Sequence, residues 1–96
     1  MEVTEVIVYS IKEAHKDQTG QILKELHEIV DKMEGMISQS TFSACDDPEK
    51  FMDFIRWKSS EDVENAKNIF ESEPAYAKIM SYFDEMEYFK QFYDYK

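Results

Sequence analysis

Residues 51–70 read FMDFIRWKSSEDVENAKNIF, and no other stretch restricts the fold as strongly. Phe51 to Trp57 alternates as a strand, with Phe51, Asp53, Ile55 and Trp57 on one face and Met52, Phe54 and Arg56 on the other. Both faces are largely apolar, so the strand needs cover on both sides; a strand with one wet face alternates apolar and polar instead. A helix follows at once. Ser59 or Ser60 supplies an N-cap oxygen, and Glu61, Asp62 and Glu64 load the first turn, where carboxylates complement the positive helix end. Val63, Ala66, Lys67 and Phe70 then recur at helical spacing.

The flanking chain supplies the partners. Val3 to Ile11 reads as a strand whose centre, Val6-Ile7-Val8-Tyr9, is again apolar on both faces. Glu13 to Lys16 is a polar connection carrying His15, and Asp17 is placed as the N-cap of a helix reaching about Met33. Ile22, Leu23, Leu26, Ile29, Val30 and Met33 form its apolar stripe, and Gly35 ends it as a residue tolerant of positive φ. Met36 to Ala44 is a Ser/Thr-rich strand, and Cys45 to Lys50 is a turn. Ser72-Glu73-Pro74 breaks the second helix, and Pro74 suits the first turn of another, with Ala75, Ile79, Tyr82 and Phe83 as its stripe. Tyr88 to Tyr95 is a closing aromatic strand.

The order β-α-β-β-α-β over residues 1–96 predicts a single α+β domain of ferredoxin-like type, with an antiparallel four-stranded sheet and helices on one face. No element remains to cover the other face. A second copy with its sheet apposed is the economical cover, which predicts a homodimer.

Composition narrows the function classes. With 21 acids against 11 bases the net charge is −10, which argues against nucleic acid or an anionic membrane surface as partner. No run approaches the roughly 20 apolar residues of a membrane span. The opening MEVTEVIVYSIK lacks the basic and long apolar regions of a secretion signal, and Cys45 is the single cysteine, so a reducing cytoplasmic setting is expected. Two distant histidines and one cysteine make no metal-ligand cluster, Gly20 and Gly35 make no phosphate loop, and there is no Gly-x-Ser-x-Gly elbow. Neither a metal nor a cofactor is expected.

Several segments resemble the antibiotic-biosynthesis-monooxygenase-like family of dimeric α+β-barrel proteins: the opening EVIVYSI, the helix-ending Met33-Glu34-Gly35-Met36-Ile37, the strand Phe51–Trp57, the entry Trp57-Lys58-Ser59-Ser60-Glu61-Asp62 to the second helix, and the aromatic closing strand. The likeness spans nearly the whole chain. It implies a homodimer and an apolar pocket, and within the family an activity such as cofactor-independent oxygenation of phenols and quinols. The haem-degrading branch uses an Asn on the first strand and a His on the second helix; residues 3–11 hold no Asn and residues 60–96 no His.

Cofactor-free oxygenation needs an apolar slot for an aromatic substrate and a base or hydrogen-bond acceptor within it. The resemblance makes Trp57 a pocket wall. It places Asp53 where phenol-oxidising members carry an Asn, a departure. Asp53 either sits wet near the strand edge or points inward, where it needs partners or a raised pKa. His27, one turn after Leu23 and beside the helix stripe, is the alternative polar actor. Tyr9, Phe70 and Tyr82 are either core or the lining of the slot. Two functions stay open: a monooxygenase-like enzyme acting on a small phenol or quinol, and a non-catalytic homodimeric module that binds a small apolar ligand.

Overall fold

The structure, a computed structural model, describes residues 1–84 and 86–95. Four strands, β1 (Val3–Ser10), β2 (Met36–Ser43), β3 (Lys50–Trp57) and β4 (Tyr88–Phe92), form one sheet in the order β2-β3-β1-β4 with every neighbouring pair antiparallel. Helices α1 (Thr19–Asp31) and α2 (Ser60–Ser72) and the single turn α3 (Ala77–Met80) complete the chain. This is the ferredoxin-like α+β arrangement.

The two-sided strands behave as their pattern requires. Val3, Tyr9, Phe51, Ile55 and Trp57 are buried beneath Ile22 and Val30 of α1, Val63 and Ala66 of α2, and Ile79 of α3. The reverse face holds Val6, Val8, Met52 and Phe54, with Phe42 and Phe92 on the flanking strands. There Phe42, Phe54 and Phe92 are 49%, 42% and 45% exposed in the single chain.

Three local expectations need correction. Asp17 does not cap α1: Glu13–Gln18 forms a 3-10 helix running into α1, pinned by Lys12 N–H on the Tyr82 carbonyl (2.9 Å) and by His15 against the Tyr82 ring. These tertiary anchors override the local capping signal. Helix α1 ends at Asp31, not Met33, and Gly35, with φ +86°, lies in the turn beyond it. Strand β4 stops at Phe92 because its pairing with β1 ends at Thr4; Asp94 turns instead onto the Arg56 guanidinium in a two-pronged contact of 2.8 and 2.9 Å. Arg56 also bonds Glu2 and Thr4, so its fork is satisfied within the chain. Ser59, rather than Ser60, caps α2, its Oγ accepting the Asp62 N–H at 3.2 Å.

Strand β2 carries one irregularity that matters for the site. Met36 pairs with Trp57 and Ser38 with Arg56, so Ile37 is an extra residue, a β-bulge. The bulge switches the parity of β2. Gln39 and Thr41 thereby pair with Ile55 and Asp53 and share their helix-covered face.

Candidate active site

Between the helices and the sheet lies a cavity of about 330 Å³, at the small end of the roughly 300–1,000 Å³ typical of ligand pockets. Its floor is β1 and β3: Glu5, Ile7 and Tyr9 beside Asp53, Ile55 and Trp57. Leu26 and Val30 of α1 and Val63, Ala66 and Phe70 of α2 form the roof. Met80, Phe83, Met86 and Phe89 close one side, and Lys67 and Glu71, both exposed, stand at the rim. The lining is apolar except for these two charges, the Tyr9 hydroxyl, the indole N–H and two buried carboxyls.

Asp53 is the first of those carboxyls and is 4% exposed, so it points inward from the centre of β3 and is not wet. Its Oδ1 accepts from the Tyr9 hydroxyl at 3.0 Å and from the Thr41 hydroxyl at 2.6 Å. Thr41 sits directly opposite on β2, and Tyr9 lies diagonally across on β1. Among the described residues no protein donor reaches Oδ2. Burial pushes the Asp53 carboxyl above its ordinary range, while the bonds from Thr41 and Tyr9 and the nearby His27 pull it back. Burial and the Asp53 charge push the Tyr9 phenol far up, so Tyr9 remains a donor.

Glu5, the second carboxyl, is 5% exposed and accepts the Trp57 indole N–H at 3.0 Å. Burial pushes it up to about 7, against the lowering effect of that bond, and the charges of Asp53 and Glu64 add to the rise. Sequence reasoning missed Glu5, although period-2 alternation with Val3, Ile7 and Tyr9 places it on the covered face. It also missed Thr41, whose facing depends on the bulge.

The cavity brings together Asp53, Trp57, Tyr9 and Phe70. His27 and Tyr82 lie outside its lining. Tyr82 packs with His15 and the 3-10 segment, at a ring separation of 4.8 Å. His27 approaches from behind: its Nε2 is 2.7 Å from Thr41 Oγ1. Because Thr41 gives its single proton to Asp53, His27 Nε2–H is the donor in that contact. No histidine lines the cavity, so nothing there offers a haem iron an imidazole. Among the described residues no three His, Cys, Asp or Glu side chains are grouped to hold a metal ion, and no helix is long and apolar enough to cross a membrane.

An antiparallel sheet covered by helices on one face, with an apolar cavity between the layers, defines a ferredoxin-like α+β protein. The sequence profile of the antibiotic biosynthesis monooxygenase family matches residues 2–92, and the chain belongs to that family. No curated protein shows significant sequence similarity to it. Among solved structures, SnoaB, a cofactor-independent oxygenase of Streptomyces nogalater, superposes with a TM-score of 0.76 at 13% identity, over 99% of this chain and 94% of that one. A Chloroflexus aurantiacus protein classed with the antibiotic biosynthesis monooxygenases gives 0.76 at 14% identity, over 100% and 95%. Rv0793 of Mycobacterium tuberculosis gives 0.73 at 10% identity, over 100% and 97%. At these identities the likeness is one of fold.

Proposed function

We propose that this protein is a cofactor-independent monooxygenase acting on a small phenol or quinol held in the cavity. The observation that carries the reading is Asp53: a buried carboxyl opening on an apolar slot, with one oxygen fixed by two hydroxyls and the other, among the described residues, without a protein donor. Asp53 accepts the substrate's hydroxyl proton, and the slot holds the resulting electron-rich anion away from water. That anion supplies the electrons to dioxygen. One oxygen atom enters at a ring carbon, the C–H there and the substrate's hydroxyl O–H giving up their hydrogens as the ring becomes a quinone, and the other oxygen leaves with them as water, so no external reductant is required. Trp57 forms the wall, Tyr9 and Thr41 orient Asp53, and Phe70 packs on the substrate from α2. Glu5, fixed by the indole N–H, is the second polar contact for a dihydroxy compound.

The working unit we propose is a homodimer in the cytoplasm, joined through the exposed reverse faces of two sheets; the cavity lies on the opposite face and belongs to one chain.

Oxygen uptake with a panel of hydroquinones and anthrones tests the reading. Turnover by the native protein, reduced about 100-fold or more in Asp53→Ala, is expected for loss of a general base. Binding of these compounds without oxygen uptake makes the protein a non-catalytic ligand-binding module instead. Absence of binding refutes both.

A further inference from the structure

Asp53 is connected to more than its cavity. Its Oδ1 accepts from Thr41 at 2.6 Å, and Thr41 Oγ1 accepts from His27 Nε2 at 2.7 Å. The three side chains come from β3, β2 and α1, and they pass from Asp53 at the buried centre of the sheet to a half-buried imidazole on α1. Gln39 holds this end of α1 against β2, donating to the His27 carbonyl at 2.9 Å and to Asp31 Oδ1 at 3.4 Å. Among the described residues no protein group bonds His27 Nδ1, which leaves that nitrogen to water.

We propose that Asp53, Thr41 and His27 form the route by which protons pass between the buried cavity and solvent. The inference rests on the proposed function, which needs a proton taken from substrate and later returned. When Asp53 is ionised, the chain runs His27 Nε2–H to Thr41 O–H to the carboxylate. Once Asp53 holds the substrate's proton, the outward step starts from the Nδ1–H tautomer, which His27 reaches by exchanging its ring protons with water: Asp53 donates to Thr41, Thr41 passes its own proton to the bare Nε2, and water takes the proton from Nδ1, which leaves the Nε2–H tautomer. Running the steps backwards returns one proton to the cavity. Each transfer breaks one O–H or N–H bond and forms another, with no change of oxidation state. Thr41 and His27 act through Asp53 and are positioning residues; neither touches substrate. The bulge at Ile37 acquires a role, since it turns Thr41 to the covered face where the relay needs a hydroxyl.

The test is a pH jump with 4-nitrophenol bound, whose ionisation is read by absorbance, alongside the rate at which the dye dissociates on dilution. In the native protein the bound dye should follow the external pH faster than it dissociates. Thr41→Val should slow that response at least tenfold relative to the dye's dissociation rate from the same variant, and Thr41→Ser should restore it. His27→Ala should be slow as well, and millimolar imidazole in the buffer should rescue it, which a purely structural role for His27 does not allow. A Thr41→Val protein that responds at the native rate overturns the route and leaves the proposed function standing. A native response no faster than dissociation also overturns it. Failure of the dye to bind overturns the cavity reading and the route together.

Discussion

Glu5 and Trp57 meet across β1 and β3, and the indole N–H is the protein donor that this carboxyl has. One neutral donor does not replace the water lost on burial, so the acid holds its proton up to about pH 7. In the unfolded chain it releases the proton near its ordinary 4.5. Between those values the folded state binds more protons than the unfolded state, so folding stability falls as pH rises through the window. The whole effect amounts to about 3 kcal/mol at most, from 1.36 kcal/mol per pH unit. Asp53 contributes with the same sign, since its pKa is also raised. Glu5→Gln keeps an acceptor for the indole and removes the titration. Urea denaturation at pH 5 and pH 8 should show the native protein losing stability over this interval and the variant losing clearly less, with the variant the more stable protein at pH 8. Equal losses in both would mean that Glu5 stays solvated.

At the scale of elements, the join between α1 and α2 is fixed by two small residues. Gly35 adopts φ +86°, its carbonyl accepts the Lys58 N–H at 2.8 Å, and a Cβ placed on it would overlap the Asp62 side chain. Asp62 cannot move away freely, because it receives the Ser59 hydroxyl at 3.0 Å while its own N–H caps onto Ser59. Gly35→Ala therefore combines a left-handed backbone with a steric overlap and should lose about 2–4 kcal/mol. Ser59→Ala removes only the cap and should lose about 1 kcal/mol. Denaturation midpoints of the two variants check the order; a Gly35→Ala protein as stable as Ser59→Ala would contradict the packing. Capping and alternation are local, which is why the serine-capped entry to α2, the two faces of β3 and the stripes of α1 and α2 are legible from the residues alone. The bulge at Ile37 was not. Unbroken alternation from Met36 would turn Phe42 toward the helices and Thr41 away, and nothing in MISQSTFS marks where parity changes. The start of α1 is hidden for a related reason: the Tyr82 contacts that hold the segment come from 70 residues beyond Lys12 and 67 beyond His15, outside any local signal. Asp53 could be assigned to a face but not to a partner set, since Tyr9 and Thr41 reach it from two different strands.

At the scale of the molecule, the two faces of one sheet do different work. The covered face keeps a cavity at the expense of a fully packed core. The reverse face presents Val6, Val8, Met52 and Phe54 along its centre, with Phe42 stacked edge-on against Phe54 at 5.8 Å. Arg56, on this face, already has its two acids and a threonine hydroxyl within the chain, so covering it strands no unpaired guanidinium; Lys90, opposite Val6 on β4, shares the face. An apolar surface of this kind, with the guanidinium beside it neutralised, suits a self-complementary contact between two sheets. In the proposed dimer the net charge of −10 on each chain opposes association at long range, so apolar burial has to drive it. Two results follow from that balance. At about 10 µM the native protein should sediment at twice the single-chain mass of 11.4 kDa, and added salt should tighten the dimer by screening the repulsion. Phe54→Glu places a carboxylate at the centre of the contact in each subunit and should give single-chain mass at the same concentration, with the far-ultraviolet circular dichroism of the fold retained. The helix-covered cavity is built by one chain, so a folded monomeric variant should still bind 4-nitrophenol. A native protein that sediments as a monomer, or a Phe54→Glu protein that remains dimeric, would show that something other than a second sheet covers this face.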